Sequence, residues 1–203
     1  MDVSRNPFPH AILDGLWNDE LLHAVAAEFP RLDAKGWIRY DAEKEVKLEG
    51  DSQLWGPSTF KFVEQIALLG PQLAEAFGMP KLILRTEGGG YHQIEPGGKL
   101  ALHADFNRSE DGLYRRLNVI TYLNPHWTDA DGGYLELLAT DGTVTSVLPR
   151  FNRTVVFETS DKSFHGHPKP LPGPRSRRSF AAYFFSVESP DDYEYDHSTV
   201  WYD

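Results

Sequence analysis

The sequence predicts a mainly β fold with flanking helices: a sandwich or barrel, such as a jelly roll, with N-terminal helices packed on one sheet. Three observations predict it. From Lys81 onward, short runs rich in Val, Ile, Leu, Thr, Tyr and Phe alternate with Gly, Pro, Asn and Asp clusters. The run Phe180–Phe185 is apolar on both faces, as a strand inside a sheet must be. The first third instead carries amphipathic helical stripes, and such stripes need a sheet to cover.

Each element has its own local reason. Asn18 is suited to cap a helix over 18–29, with Asp19 and Glu20 at its positive end. Leu21, Leu22, Val25, Ala26 and Phe29 form its apolar stripe, and Pro30 stops it. A second helix, over 58–69, follows Pro57, with Phe60, Val63, Ile66 and Ala67 on its inner face. Gly70-Pro71 ends it, and a short helix follows near 72–77. The segment Trp37–Trp55 is polar and charged and carries no clear periodicity. Strands are expected near 81–86, 90–95, 99–105, 116–123, 133–138, 143–148, 153–158 and 177–186. The 203 residues are then one domain: helical support over 1–80, a jelly-roll core over 81–186 and a C-terminal tail over 187–203.

Composition narrows the function. The chain has no cysteine, so disulfides, a thiol nucleophile, cysteine zinc fingers and iron–sulfur clusters are excluded. A net charge of −10 speaks against a general nucleic-acid footprint. Apolar runs fall far short of the ~20 residues that span a membrane, and the N-terminus lacks the regions of a signal peptide. The expectation is a soluble, cytoplasmic protein without nucleic-acid or membrane partners. Its eight histidines are then the main soft metal ligands.

Three short motifs carry chemistry. In His103-Ala104-Asp105, residues i and i+2 of a strand share a side, so an imidazole and a carboxylate can reach one ion. Taken alone, a solvated strand end is the commoner explanation of such a pair. His165-Gly166-His167 offers two further imidazoles sixty residues on, or else a surface loop. Arg177 and Ser179 share a face at the entrance of the apolar strand, where a guanidinium and a hydroxyl suit a carboxylate. A lone arginine there is otherwise an edge charge that reaches back to water.

Taken in order, these motifs resemble the prolyl-4-hydroxylase-type branch of the Fe(II)/2-oxoglutarate dioxygenases. The resemblance runs over Gly88–Ser186, about half the chain. It is carried by Glu95 to Asp105, Arg116 to Asn124, Gly132 to Leu137, Pro149 to Phe157, Ser163-Phe-His165 and Arg177-Arg-Ser179. The opening from Asn6 to Leu16 is also similar to the start of many such enzymes.

The resemblance implies a double-stranded β-helix fold and an Fe(II) site built from His103, Asp105 and His165, with His167 a neighbour. It implies 2-oxoglutarate and O2 as cosubstrates, with ascorbate as a candidate reductant. Arg177 then binds the distal carboxylate of 2-oxoglutarate, with Tyr122, Ser179 and Asn118 as further pocket residues. Glu95 stands where some relatives carry a tyrosine, which leaves that cosubstrate contact without an obvious donor. The implied reaction couples oxidative decarboxylation of 2-oxoglutarate to hydroxylation of a C–H bond in a small-molecule or peptidyl substrate, prolyl foremost. Halogenases of this class lack the metal carboxylate, so Asp105 argues against halogenation.

Two alternatives stand beside it. A cupin-like metal enzyme would not need Arg177, and a non-catalytic binding module would not need all four of His103, Asp105, His165 and Arg177. For the substrate, Arg85, Arg115 and Arg116 could meet an acidic group, and Phe106-Asn107-Arg108 directly follows the candidate metal carboxylate. The polar segments 38–55 and 106–114 are long enough to be lids.

Overall fold

A computed structural model describes residues 1–202. Twelve strands form two sheets in them. The strands are β1 (His10–Asp14), β2 (Trp37–Asp41), β3 (Val46–Gly50), β4 (Ile83–Ile94), β5 (Leu100–Ala104) and β6 (Tyr114–Tyr122). They continue with β7 (Leu135–Leu138), β8 (Val144–Val147), β9 (Arg153–Glu158), β10 (Phe164–His167), β11 (Arg177–Ser186) and β12 (Val200–Trp201). One sheet has the order β1-β9-β6-β11-β4-β3-β2, the other β12-β5-β10-β7-β8, and every pairing is antiparallel. This is the expected jelly roll, with two facing sheets.

Three helices, α1 (Asp19–Ala27), α2 (Pro57–Leu68) and α3 (Gly70–Phe77), cover the outer face of the seven-stranded sheet. Period-2 alternation along β11 decides which side chains go where. Phe180, Ala182 and Phe184 join Leu22, Val25, Phe62, Ile66 and Leu73 in the helix-side core. Ala181, Tyr183 and Phe185 face the space between the sheets.

Asn18 caps α1 as expected, its side chain accepting from the Leu21 amide at 2.9 Å. The inner face of α2 differs from the expected stripe. Thr59, Phe62 and Ile66 are buried, whereas Phe60 is 49% exposed and Ala67 lies outside. The cause is the helix N-terminus. Its cap residue, Gly56, has no side chain to offer, and Glu28 from the end of α1 supplies one. The Glu28 carboxylate accepts from the Ser58 and Thr59 amides at 2.8 Å each and from the Thr59 hydroxyl at 2.7 Å. This turns Thr59 inward and Phe60 out, where Phe60 packs edge-on against Trp55. A Cβ on Gly56 would stand 2.4 Å from the Glu28 carboxyl carbon, so the close approach needs glycine there.

Three expectations are corrected by the sheets. The strands placed at 81–86 and 90–95 are one strand, β4, whose pairing with β11 shifts register between Ala181 and Tyr183. The Gly-rich break marks a bulge rather than a turn. The segment 38–55 is no free lid: much of it forms the β2–β3 hairpin, which extends the sheet through β3 against β4. Residues 1–80 are therefore not helical support alone, since β1 also pairs with β9. Among the described residues, no helix is long and apolar enough to cross a membrane.

Candidate metal and cosubstrate site

β5 and β10 lie side by side in the five-stranded sheet, with His165 directly opposite His103. Asp105 stands one residue beyond β5, on the same side as His103. His103, Asp105 and His165 each offer a ligand atom, and these atoms lie within 4.8 Å of one another. Nε2 of His103 is 3.6 Å from Asp105 Oδ1, and Nε2 of His165 is 3.5 Å from Asp105 Oδ2. Both rings are oriented from behind. His103 Nδ1 donates to the Ala101 carbonyl at 2.9 Å and His165 Nδ1 to the Ser163 carbonyl at 3.0 Å. That tautomer leaves each Nε2 lone pair free on the side of Asp105.

His167 is not part of this group. Register shifts between His165 and His167, and His167 stands opposite Leu100. The shift needs Gly166, where a Cβ would be 2.7 Å from the carbonyl oxygens of both Leu100 and Ala101. Both histidines line the cavity as a result.

The charges suit a divalent cation. Burial alone would push the Asp105 carboxyl up, but Arg115, His165 and His103 overcome it and hold the group well below the usual carboxylate range. Burial, aided by His103, pushes His165 down to about 4, so its imidazole is neutral at physiological pH. Two imidazoles and one ionised carboxylate make a donor set that fits non-haem Fe(II) with coordination positions to spare.

Asp105 is held by two donors. Arg115 Nη2 donates to its Oδ2 at 3.0 Å, and Asn118 Nδ2 donates to the same oxygen at 2.7 Å. Arg115 also donates to Asn118 Oδ1, at 2.8 and 3.1 Å, and its guanidinium lies over the rings of Tyr183 at 3.7 Å and Phe106 at 4.6 Å. Asn118 is thus placed at Asp105, and its amide bonds nothing at Arg177.

Arg177 occupies the facing sheet and is only 4% exposed. Its Nε donates to the Gly133 carbonyl at 2.8 Å, and its Nη2 donates to the Tyr122 hydroxyl at 3.2 Å. No carboxylate among the described residues pairs with it. Burial lowers its pKa, yet a guanidinium stays charged at any physiological pH. Ser179 lies between His92 and Tyr122 in a row across β4, β11 and β6, and it lines the cavity together with His92. One cavity therefore takes in the His103–Asp105–His165 cluster, Arg115, Asn118, Arg177 and Ser179.

The other arginines go elsewhere. Arg116 is bonded to the Ser186 hydroxyl at 3.1 Å, and Arg85 pairs with Asp111 on the rim. Phe106 lines a separate groove of about 570 Å³ with Phe185, Arg85 and Arg108. Asn107 holds the tail instead, donating to the Tyr195 carbonyl at 2.9 Å and accepting from the His197 amide at 3.0 Å. Glu95 accepts from Gln93 and does not line the cavity. Sequence reasoning missed Lys47 and His92, which line it from β3 and β4. The signal for His92 was its even spacing from Ile94 along a strand, and for Lys47 there was none while β3 stood unassigned.

The sequence profile of the 2OG-Fe(II) oxygenase superfamily matches residues 89–185, the stretch that holds every residue of this cluster. Prolyl 3-hydroxylase OGFOD1 of Xenopus laevis is 38% identical over 84 residues, which are 37% of this chain and 16% of that protein. The chain thus matches only a small part of that relative's length. A Pseudomonas putida prolyl-4-hydroxylase superposes with a TM-score of 0.67 at 21% identity, over 87% of this chain and 91% of that one. HygX from Streptomyces hygroscopicus, bound to nickel, 2-oxoglutarate and hygromycin B, superposes with a TM-score of 0.60 at 14% identity, over 87% and 82%. Residues 89–185 are thus similar to the 2OG-Fe(II) oxygenase superfamily, on a fold shared with prolyl-4-hydroxylases.

Proposed function

We propose that the protein is a 2-oxoglutarate-dependent hydroxylase with His103, Asp105 and His165 as its Fe(II) ligands. One observation carries the reading: a buried cluster of two imidazoles and a carboxylate shares a cavity with a buried guanidinium that has no acid partner among the described residues. A cupin-like enzyme has no use for that guanidinium, and a binding module has no use for the whole set.

When bound, Fe(II) supplies the oxidising chemistry that couples loss of CO2 from 2-oxoglutarate to hydroxylation of a C–H bond. The chain's own residues do the rest. His103, Asp105 and His165 hold the ion and leave coordination positions open. Arg177 anchors the far carboxylate of the cosubstrate, with the Tyr122 hydroxyl and Ser179 beside it. Ile120, Leu135 and Ala181 wall the cavity and limit water. Arg115 and Asn118 fix the carboxylate of Asp105, so its free oxygen keeps one orientation.

A prolyl residue in a peptide is the proposed substrate, on the likeness to OGFOD1 and to the prolyl-4-hydroxylase. The fold also serves HygX, whose structure holds hygromycin B, so the fold alone does not choose. The groove along Phe106 and Phe185, whose Phe106 directly follows Asp105 in the chain, is the proposed path for the peptide. The test is an assay with Fe(II), 2-oxoglutarate and ascorbate across prolyl peptides and small polar metabolites. Succinate formation, with one O2-derived oxygen in a prolyl peptide, is the expected result. Turnover of O2 without need of 2-oxoglutarate would overturn the reading.

A further inference from the structure

Two more polar side chains line the same cavity with no task yet. His92, on β4, and His167, on β10, each carry a buried ring nitrogen without a hydrogen-bond partner among the described residues: Nε2 of His92 and Nδ1 of His167. Buried polar atoms in folded proteins are almost always paired, so two orphans in one cavity call for a common explanation. Both sit beside Arg177. His92 is two residues from Ile94, the strand partner of Arg177, and so shares its side of the sheet. His167 approaches from the facing sheet, brought there by the bulge at Gly166. Burial, with Arg177 and Lys47 adding to it, disfavours the charged forms of both rings.

Neighbouring acids do not explain the two rings. The nearest approach is Glu49, whose Oε2 is 4.0 Å from His92 Nε2, beyond hydrogen-bond distance. Glu95, at the position where some relatives place a cosubstrate donor, is turned to Gln93. The anion end of the cavity therefore has two imidazole nitrogens to offer beyond the guanidinium, each a donor in its N–H tautomer.

We propose that His92 and His167 complete the anion site around Arg177, each donating a hydrogen bond to the distal carboxylate of a 2-oxo diacid. The inference rests on the reading of this cavity as a 2-oxoglutarate site. It makes the two histidines specificity residues: they favour a 2-oxo diacid over a 2-oxo monoacid, which has no distal carboxylate for them to hold.

The test is calorimetric titration of the Co(II)-loaded protein, without O2, using 2-oxoglutarate and 2-oxobutyrate as probes. His92→Phe and His167→Phe are each expected to weaken 2-oxoglutarate about tenfold or more, the loss of one charge-assisted hydrogen bond. Affinity for 2-oxobutyrate and for Co(II) stays within about twofold of wild type by the same reasoning. His92→Gln, which retains a donor, is expected to recover part of the loss. Retained Co(II) binding with its visible absorption shows that a variant is folded; if His167→Phe loses it, the His92 pair decides. Unchanged 2-oxoglutarate affinity in the folded variants overturns the proposal, and so does an equal loss for both oxo acids. If wild-type protein binds Co(II) but not 2-oxoglutarate, the cosubstrate reading itself fails, which is a separate result.

Discussion

Arg115 and Asp105 form an ion pair inside the cavity, with Nη2 3.0 Å from Oδ2 and the guanidinium only 2% exposed. Stacking between Tyr183 and Phe106 fixes the plane of the guanidinium, and the ion pair then fixes the carboxylate. Asn118 reinforces the same oxygen. Groups that orient a metal ligand in this way are typically worth ~10–100-fold in metal affinity. Arg115→Met is therefore expected to weaken Co(II) binding by about that factor. Arg115→Lys should lie between, since it keeps the charge but loses the fork that reaches Asn118. Competitive titration against a chelator measures this, and equal affinities in all three proteins would remove the orienting role.

Arg177 calls for the complementary experiment. Its guanidinium is on the opposite sheet from the candidate ligands, so its removal should spare the metal. Arg177→Ala is expected to weaken 2-oxoglutarate by at least ~10- to 150-fold, the equivalent of one charge-assisted bond of ~1.5–3 kcal/mol. Arg177→Lys should recover part of that. Metal and cosubstrate titrations run side by side check the separation, and joint loss of both affinities would contradict it.

Gly166 is the hinge of the histidine pair. With 2.7 Å between a would-be Cβ and two backbone oxygens, Gly166→Ala must push β10 away from β5. Overpacking of this kind costs ~1–3 kcal/mol, or a few degrees to about ten in Tm for a chain of this size. The same displacement moves His165 from His103, so metal affinity should fall with Tm. A variant with wild-type Tm and metal affinity would show that the strand pair accommodates the methyl group.

Glu28 supplies a pH-dependent cap. Its partial burial pushes the carboxyl up, but the amides and hydroxyl of Ser58 and Thr59 outweigh it and hold the group below the ordinary glutamate value. A lowered folded pKa means stability that is fully present above the ordinary value, ~4.3, and lost as pH falls through the folded one. Glu28→Gln is expected to cost about 1 kcal/mol at neutral pH, as for a lost helix cap. The difference from wild type should shrink as pH drops below ~4. Urea unfolding at several pH values measures it, and a pH-independent difference would dismiss the charge.

How far the sequence was legible follows from where each signal lay. The strands from β5 to β9 and β11 announced themselves because their β-branched runs are bounded by turn residues. The β2–β3 hairpin did not, since Lys47, Glu45 and Glu49 read as a solvated stretch. In the fold they pair with one another, Lys47 Nζ lying 3.4 and 3.8 Å from the two carboxylates, at side-chain exposures of 10–21%. Likewise β10 is four residues built on His-Gly-His, too short and too polar for any periodicity. Within the site, the i, i+2 spacing of His103 and Asp105 was visible in the sequence. The pairing of His165 with His103 was not, because strand register between distant segments leaves no local mark. His92 stayed hidden for the same reason, as a lone histidine on a strand whose neighbours were unknown.

The two ends of the cavity hang from different sheets: His103 and His165 from the five-stranded one, Arg177 from its partner. Facing sheets stand ~10 Å apart. The gap from ion to guanidinium is then a caliper set by the thickness of the sandwich. Leu137, Val147, Val155 and Phe157 fill that thickness together with Tyr122, and none of the five lines the cavity. Swapping their volumes opens or closes the jaws, so chain length in the preferred oxo acid becomes a property of the hydrophobic core.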